Sequence, residues 1–272
     1  AAALVAALCS VVIAAVLVAE IASIFIESRL YGKEGVYKVD FSDHIIVCHA
    51  GPSLPDVIKE LTSEQQAVRQ EVAIVSTERP EVPLSDYVQW VKGDPTEDET
   101  LHRAGVEKAR AAIVLCADMA EPVTSDSENI LTALAIESLN GEVHTCVELI
   151  DEKNRKHLKH ADVDEVICVG ELSKKLSIQS VLNPGLSRMI GDLLSFDHTE
   201  EFYRVLVPED CVGHDFGEAL NWFFANHGAI LLAIQRGERY TLAASNDRPL
   251  EEEDIAIIVA EEFPKGLKAP TR

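Results

Sequence analysis

The pattern of apolar and polar residues divides the chain into parts with different structures. The first 26 residues are almost continuously apolar, and the first charge is Glu20. From His44 onward, short apolar runs alternate with helical patterns, which is typical of a parallel sheet built from strand–helix–strand units. The pattern predicts a transmembrane helix at 1–28, a linker at 29–42, a Rossmann-like α/β domain at 43–170, two helices within 171–200 and a small α+β domain at 201–264.

Six apolar runs predict the strands of the α/β domain, which is enough for a complete doubly wound parallel sheet. They are His44–Cys48, Val72–Ser76, Val88–Val91, Ala112–Cys116, Val143–Glu148 and Glu165–Val169. The helices predicted between them are Pro55–Arg69, Glu97–Ala104, Ser127–Leu139 and Glu152–His160. A longer helical stretch, Leu172–Leu194, contains Asn183-Pro184-Gly185 and should therefore form two helices that meet at a bend.

The apolar segment at the start is long enough to cross a membrane. Residues 1–19 carry no charge, and a helix of that length spans a hydrocarbon core of ~30 Å. The basic residues Arg29, Lys33 and Lys38 follow the segment and none precedes it, so the positive-inside rule places the rest of the chain in the cytoplasm. The expected location is the cell membrane, with the residues after about 28 in the cytoplasm.

Glu20 is the carboxylate within this apolar segment. A charge inside a membrane is expensive on a lipid face, so the position is predicted to face water at the cytoplasmic mouth of a pore. The alternative is a glutamate that extends toward the lipid headgroups because the span ends at Ala19.

Charge and motif content exclude several classes of function. The chain has 46 acidic and 24 basic residues, a net charge of −22, which disfavours nucleic acid as a partner. Its six cysteines show no Cys-x-x-Cys spacing, which indicates reduced thiols. No Gly-x-Ser-x-Gly, His-Glu-x-x-His or Walker lysine motif occurs, so an enzyme is not expected.

Several short motifs occur in the order found in one family of regulatory domains. They are Gly93-Asp94, Leu101–Ala111, Asp126–Asn129, Val147-Glu148, Ala161–Ile167 and Pro184-Gly185. In these residues the chain resembles the TrkA-N (RCK) domain of bacterial-type potassium channels, and residues 201–264 resemble the matching TrkA-C module. The resemblance implies self-association as dimers through the helices of Leu172–Leu194, a tetrameric channel with an eight-domain ring, and potassium as the conducted ion.

The expected ligand site lies where the first strand ends. A dinucleotide fingerprint, Gly-x-Gly-x-x-Gly, falls on His49-Ala50-Gly51-Pro52-Ser53-Leu54, where only the middle glycine is present. We predict cofactor contacts at Gly51, Pro52 and Ser53, with NAD or an adenine nucleotide as the ligand. Glu78 follows the second strand and could hold a ribose, and Asp94 either contacts adenine or ribose or caps the Pro95 turn.

Calcium is the second expected ligand, because some channels of this family bind it through carboxylates on the fifth strand. Glu148 matches such a position, but the next residue on the same strand face is Ile150. Since calcium takes six to eight oxygens, further ligands would have to come from loops, where Asp118, Asp126 and Asp151 are available.

Three functions follow from these observations. The first is a ligand-gated regulatory module of a potassium channel, which couples cytosolic ligand binding to the opening of a pore. The second is a regulatory subunit or domain of a potassium or other cation transporter. The third is a membrane-tethered NAD-dependent oxidoreductase, for which the second domain is small.

Overall fold

The computed structural model describes residues 35, 38–63, 70–159, 161–194, 201–237, 239–242 and 248–270. The predicted transmembrane helix at 1–28, with Glu20, lies outside these residues, as does most of the linker at 29–42. In the part of the chain that is described, no helix is both long and apolar enough to span a bilayer. The chain forms two compact units, divided after Gln179.

The first unit contains a six-stranded parallel sheet. Its strands are β1 (His44–Cys48), β2 (Val72–Ser76), β3 (Val88–Lys92), β4 (Ala109–Val114), β5 (His144–Leu149) and β6 (Glu165–Cys168). Their order across the sheet is β3-β2-β1-β4-β5-β6, which is the doubly wound arrangement. The predicted parallel α/β fold is therefore confirmed, and all six predicted strands are present.

Burial explains why the central strands were recognisable in the sequence. Every residue of β1 and β2 is buried, because layers of helices and loops cover both faces of the sheet. The register pairs Ile46 with Ala73 on one side and with Ala112 on the other. Two apolar cores result, one on each face, and they require nearly continuous apolar strands.

The helices of the first unit differ in part from the prediction. They are α1 (Leu54–Leu61), α2 (Asp98–Arg103), α3 (Pro122–Leu139), α4 (Arg155–Leu158) and α5 (Val169–Leu182), whose last three residues belong to the second unit. Helix α1 ends at Leu61, because the Thr62 hydroxyl donates to the Ile58 carbonyl oxygen at 2.7 Å and Thr62 leaves the helical conformation. Residues 64–69 of the predicted helix lie outside the described residues. Helix α3 begins at Pro122 and not at Ser127, since proline is favoured in a first turn.

A short turn precedes α4 where a longer helix was predicted. Residues Glu152–Asn154 form a 3₁₀ turn, and α4 follows with only four residues. The Asp151 carboxylate accepts a hydrogen bond from the Lys153 amide at 3.0 Å, which stabilises the turn in place of an α-helical start.

The second unit is a small antiparallel sheet with one helix against it. Its elements are α6 (Leu186–Leu194), β7 (Glu201–Leu206), α7 (Phe216–His227), β8 (Ile230–Arg236), β9 (Arg239–Leu242) and β10 (Ile255–Ala260). The strand order is β7-β10-β8-β9. Phe223 of α7 is fully buried in the core of this unit together with Leu231 and Ile258. A small α+β unit was predicted here, and the structure agrees.

Helix α7 has a well-defined start and end. The Glu218 amide donates to the Asp215 carboxylate at 2.8 Å, and the Asp215 amide donates back to Glu218 Oε2 at 3.1 Å, which is a capping box. Gly228 ends the helix with a φ of 64°, a left-handed conformation that glycine adopts at low cost.

Candidate functional site

The carboxyl ends of β1 to β4 enclose a cleft of about 230 Å³ in the first unit. Ligands of doubly wound folds bind at this edge of the sheet, where the strand order reverses between β1 and β4. The cleft is lined by His49, Ala50, Ser76, Thr77, Glu78, Asp94, Pro95, Ala117 and Glu128. Of the predicted cofactor residues, Glu78 and Asp94 therefore meet in one cleft, whereas Gly51, Pro52 and Ser53 are not among its lining residues. Glu148, the predicted metal ligand, does not line it either.

Gly51 is required by packing between the β1–α1 turn and the end of β4. A Cβ atom at this position would lie 2.1 Å from the carbonyl oxygen of Cys116, a distance that no side chain tolerates. Gly51 is buried, and its carbonyl oxygen accepts the Leu54 amide at 3.1 Å. The middle glycine of the fingerprint thus lets two pieces of backbone approach each other.

His49 stands where the first glycine of a dinucleotide fingerprint would be. Its φ is 68°, the left-handed conformation that such a turn requires and that glycine adopts most easily. The imidazole is buried, with Nε2 3.2 Å from the Thr132 hydroxyl of α3. Burial lowers the pKa of His49, although the nearby Asp94 carboxylate opposes the shift, so the ring is neutral at pH 7. His49 was not predicted as a cleft residue, although its place directly after β1 indicates this position.

The third fingerprint position holds a core side chain. Leu54 is 2% exposed and packs in the core formed by β1, β2 and α1. Side chains thus occupy two of the three positions at which a pyrophosphate-binding turn needs glycine. The turn therefore departs from the full dinucleotide fingerprint, although His49 keeps the left-handed conformation of the first glycine.

Two hydrogen-bonded turns hold the cleft carboxylates in place. The Ser76 hydroxyl donates to the Glu78 carbonyl oxygen at 2.7 Å and accepts the Trp90 indole N–H at 3.0 Å, which fixes the loop after β2. Asp94 Oδ1 accepts from the amide and the hydroxyl of Thr96, at 2.9 and 2.7 Å. Asp94 therefore caps the Pro95 turn and also lines the cleft.

Glu148 stabilises the sheet through hydrogen bonds to residues near β4 and in α3. Its Oε2 accepts the Cys116 amide at 2.9 Å, just beyond the end of β4, and its carbonyl oxygen accepts the Asn129 amide group at 2.8 Å. Desolvation, and then the Glu148 carboxylate, raise the pKa of the Cys116 thiol to about 11. One carboxylate oxygen of Glu148 remains available to a ligand.

The other acidic residues considered for calcium accept hydrogen bonds from nearby groups, and Asp126 lies on helix α3 and not in a loop as expected. Asp126 is fully buried and accepts from the Ile150 amide, the Asp151 amide and the Asn154 side chain, at 2.8, 3.0 and 2.7 Å. Asp118 accepts the Ala120 amide at 2.7 Å. Across the described ranges, no group of three or more His, Cys, Asp or Glu side chains is placed to hold a metal ion.

The sequence matches a family model over most of the first unit. Residues 40–147 match the model of the calcium-activated potassium channel slowpoke-like RCK domain. This range contains β1 to β4, part of β5 and all the residues that line the cleft.

Two channel proteins are similar to the chain over most of its length. The calcium-gated potassium channel TvoK of Thermoplasma volcanium is 31% identical over 183 residues, which cover 66% of this chain and 51% of TvoK. The calcium-activated potassium channel slo-1 of Caenorhabditis elegans is 26% identical over 257 residues, 80% of this chain and 22% of slo-1. The chain thus spans about half the length of TvoK, and the match covers 22% of slo-1.

Among solved structures, the human SLO3 gating ring has the same fold. The TM-score is 0.64 at 18% identity, and the match covers 80% of this chain and 44% of the SLO3 chain.

Proposed function

We propose that the chain, whose residues 40–147 match the slowpoke-like RCK domain family model, is the regulatory module of a potassium channel. Binding of a cytosolic ligand to the first unit would be coupled to the opening of a membrane pore. The family match over the doubly wound unit is the observation that carries this proposal. The chain acts by binding and not by catalysis.

Calcium is one gating ligand of the proposed channel. Both similar channels are named for calcium, as calcium-gated and calcium-activated. In this chain Glu148 is the residue we assign to calcium, because one of its oxygens makes no hydrogen bond within the described residues. Water and further oxygen ligands would complete the six to eight that calcium takes.

Self-association is the second part of the proposal, and the exposed side chains of α5 and α6 support it. Large apolar residues of these helices face solvent in the single chain: Leu172 (60% exposed), Ile178 (60%), Val181 (81%), Leu182 (67%), Met189 (55%) and Leu194 (67%). Exposed apolar patches of this kind mark interaction sites. We assign them to a dimer contact, with dimers assembled into a ring below a tetrameric pore.

The first 28 residues complete the proposed channel. We assign residues 1–28 as its pore-lining helix and Glu20 as an anionic residue at the cytoplasmic mouth, where four copies would concentrate cations. The protein would then lie in the cell membrane, with the RCK unit in the cytoplasm.

The gene sequence upstream of Ala1 and a flux measurement test this proposal. We expect an upstream Thr-Val-Gly-Tyr-Gly type filter, whose carbonyl oxygens replace the hydration shell of potassium. The longer protein, reconstituted in vesicles, should conduct potassium, and calcium should change the flux. Glu148→Gln should reduce the calcium effect, whereas Glu142→Gln, on an exposed residue before β5, should leave it unchanged. An upstream region without a filter, together with no potassium flux, would contradict the channel proposal and favour a transporter subunit.

A further inference from the structure

Two buried oxygens of helix α3 have no hydrogen-bond partner within the described residues. They are Oγ of Ser125, a residue that is 2% exposed, and Oδ1 of Asn129, a residue that is fully buried. The two residues lie four positions apart on α3, so their side chains share one face of the helix. Buried polar atoms without a partner are rare in folded proteins, and a bound ion or water is one explanation for them.

Hydrogen bonds place the Asn129 side chain against Glu148 and Cys116. Asn129 Nδ2 donates to the Glu148 carbonyl oxygen at 2.8 Å and lies 3.7 Å from Cys116 Sγ. Glu148 Oε2 accepts the Cys116 amide at 2.9 Å, and the second carboxylate oxygen of Glu148 makes no hydrogen bond within the described residues. The Asn129 amide group and the Glu148 carboxylate therefore both lie beside Cys116.

The surroundings of Cys116 have a negative potential. Burial raises the pKa of the Cys116 thiol, and the carboxylates of Glu148 and Asp126 raise it further. The Ser125 hydroxyl is near enough to oppose this shift, although it does not meet the geometry of a hydrogen bond. Two carboxylates and two unpartnered oxygens at one place favour a cation over an anion.

We propose that Ser125 Oγ and Asn129 Oδ1 are calcium ligands, together with the free carboxylate oxygen of Glu148. Calcium takes six to eight oxygens and accepts neutral oxygens such as amide carbonyls and water beside carboxylates. Glu148 is only partly buried, so the ion and its remaining waters have access from solvent. The inference rests on the calcium-binding part of the proposed function and names oxygens that Glu148 alone lacks.

Two neutral ligands also agree with the distribution of acidic side chains. Within the described ranges, no group of three or more His, Cys, Asp or Glu side chains could hold a metal ion. A site built from one carboxylate, one hydroxyl and one amide oxygen does not need such a group. Its three protein ligands come from α3 and β5, which pack against each other in the first unit.

Calorimetric titration of the full chain with calcium chloride tests the inference. Ser125→Ala should weaken calcium binding about tenfold or more, because one oxygen of the site is lost. The same variant should not lower the melting temperature of the calcium-free chain, since it removes a buried hydroxyl that has no partner. A purely structural role of Ser125 would give the opposite pair of results.

Asn129→Asp keeps an oxygen at the position of Oδ1 and adds a negative charge. We expect this variant to bind calcium about threefold more tightly or better, because the charge of the ligands sets calcium affinity. It loses the Nδ2 donor to the Glu148 carbonyl oxygen, so the calcium-free variant should melt at a lower temperature than the unmodified chain.

Ser127 provides the matched control on the same helix. It lies between Ser125 and Asn129 in the chain but is exposed, and its hydroxyl donates to the Val123 carbonyl oxygen at 2.7 Å. Ser127→Ala and Ser127→Asp make the same kinds of change outside the proposed site. Each should change calcium affinity by less than about twofold, since exposed charges are screened.

Three results would overturn the inference. The first is an absence of calcium binding. The second is an unchanged calcium affinity in Ser125→Ala, which would indicate that water alone satisfies the hydroxyl. The third is an equal gain in Asn129→Asp and Ser127→Asp, which would indicate attraction by net charge only.

The outcomes for the inference and for the proposed function can be told apart. If Glu148→Gln weakens calcium binding and Ser125→Ala does not, the inference fails and the assignment of Glu148 stands. Because the titration does not measure current, an absence of potassium flux would contradict the channel proposal and leave the binding result intact.

Discussion

Arg236 and Asp254 form a two-pronged ion pair within the second unit. Arg236 Nε lies 2.6 Å from Oδ1 of Asp254, and Nη2 lies 2.5 Å from Oδ2. Asp254 is 1% exposed and also accepts the Glu251 amide at 2.8 Å. The pair joins the end of β8 to the turn that precedes β10, so the buried Asp254 carboxylate stabilises the acidic turn Glu251–Asp254.

Removal of Arg236 should destabilise the second unit strongly. Arg236→Met leaves the Asp254 carboxylate buried without its partner, which costs about 3 kcal/mol of unfolding free energy. Denaturant unfolding monitored by Trp222 fluorescence, with Trp90 of the first unit replaced by phenylalanine in every protein compared, measures the loss. Arg239→Met, on an exposed arginine of β9, is the matched control and should change stability by less than about 0.5 kcal/mol. Equal stability of the two variants would contradict the assigned role.

Gly51 should not tolerate even a methyl group. Gly51→Ala places Cβ 2.1 Å from the Cys116 carbonyl oxygen, so the turn or the end of β4 must move, at a cost of about 3 kcal/mol or more. Thermal unfolding of the chain tests this. Gly191→Ala is the control, because its added Cβ meets no described atom within 4 Å beyond its chain neighbours and its own helix backbone, and alanine favours helix α6 by about 0.5 to 1 kcal/mol. A stable Gly51→Ala variant would show that the contact is not rigid.

His44 should make folding sensitive to pH. Its Nε2 donates to the Ala104 carbonyl oxygen at 2.8 Å, its Nδ1 is buried without a partner, and desolvation lowers its pKa below 6.5. Below about pH 6.5, His44 is protonated in the unfolded chain but stays neutral in the folded chain. The free energy of unfolding therefore falls as pH falls, by at most about 1.4 kcal/mol per pH unit for one group.

Variants of His44 and His157 separate the contribution of His44 to the pH dependence of unfolding from that of an exposed histidine. The unfolding free energy of His44→Gln should depend less on pH between 6.5 and 5 than that of the unmodified chain, since glutamine does not titrate. His157→Gln, on an exposed residue of α4, should keep the full dependence. The same dependence in all three proteins would refute the prediction.

The exposed apolar side chains of α5 should be needed for self-association. Ile178→Glu introduces a charge into the proposed dimer contact, where its burial would be costly, so the chain should shift from dimer to monomer. Cross-linking of the full chain followed by gel electrophoresis measures this. Ser173→Glu adds the same charge at an exposed polar position of α5 and should leave the dimer intact. A strict monomer before any substitution would argue against the contact.

The apolar pattern alone determined the architecture of this protein. Buried parallel strands such as β1 and β2 must be continuously apolar, and alternation with helices allows few other arrangements. The convergence of Glu78 and Asp94 was also predictable, because the carboxyl ends of neighbouring parallel strands meet at one edge. Helix ends were less predictable: the Thr62 hydroxyl ends α1, and this contact competes locally with the helical pattern.

Only the tertiary structure decided what the individual polar residues do. Asp126 was a possible metal ligand in the sequence, yet both of its oxygens accept hydrogen bonds from backbone amides of distant residues. Glu148 uses one oxygen for the Cys116 amide and keeps the other for a ligand. Gly51 resembled part of a phosphate-binding turn, whereas its lack of a side chain is required by Cys116, 65 positions later in the chain. The pattern of apolar residues along the chain indicates burial, because buried positions repeat with the period of a helix or strand. A hydrogen bond between residues that are far apart in the chain produces no periodic sequence pattern. The roles of these polar residues could therefore be identified only in the folded structure.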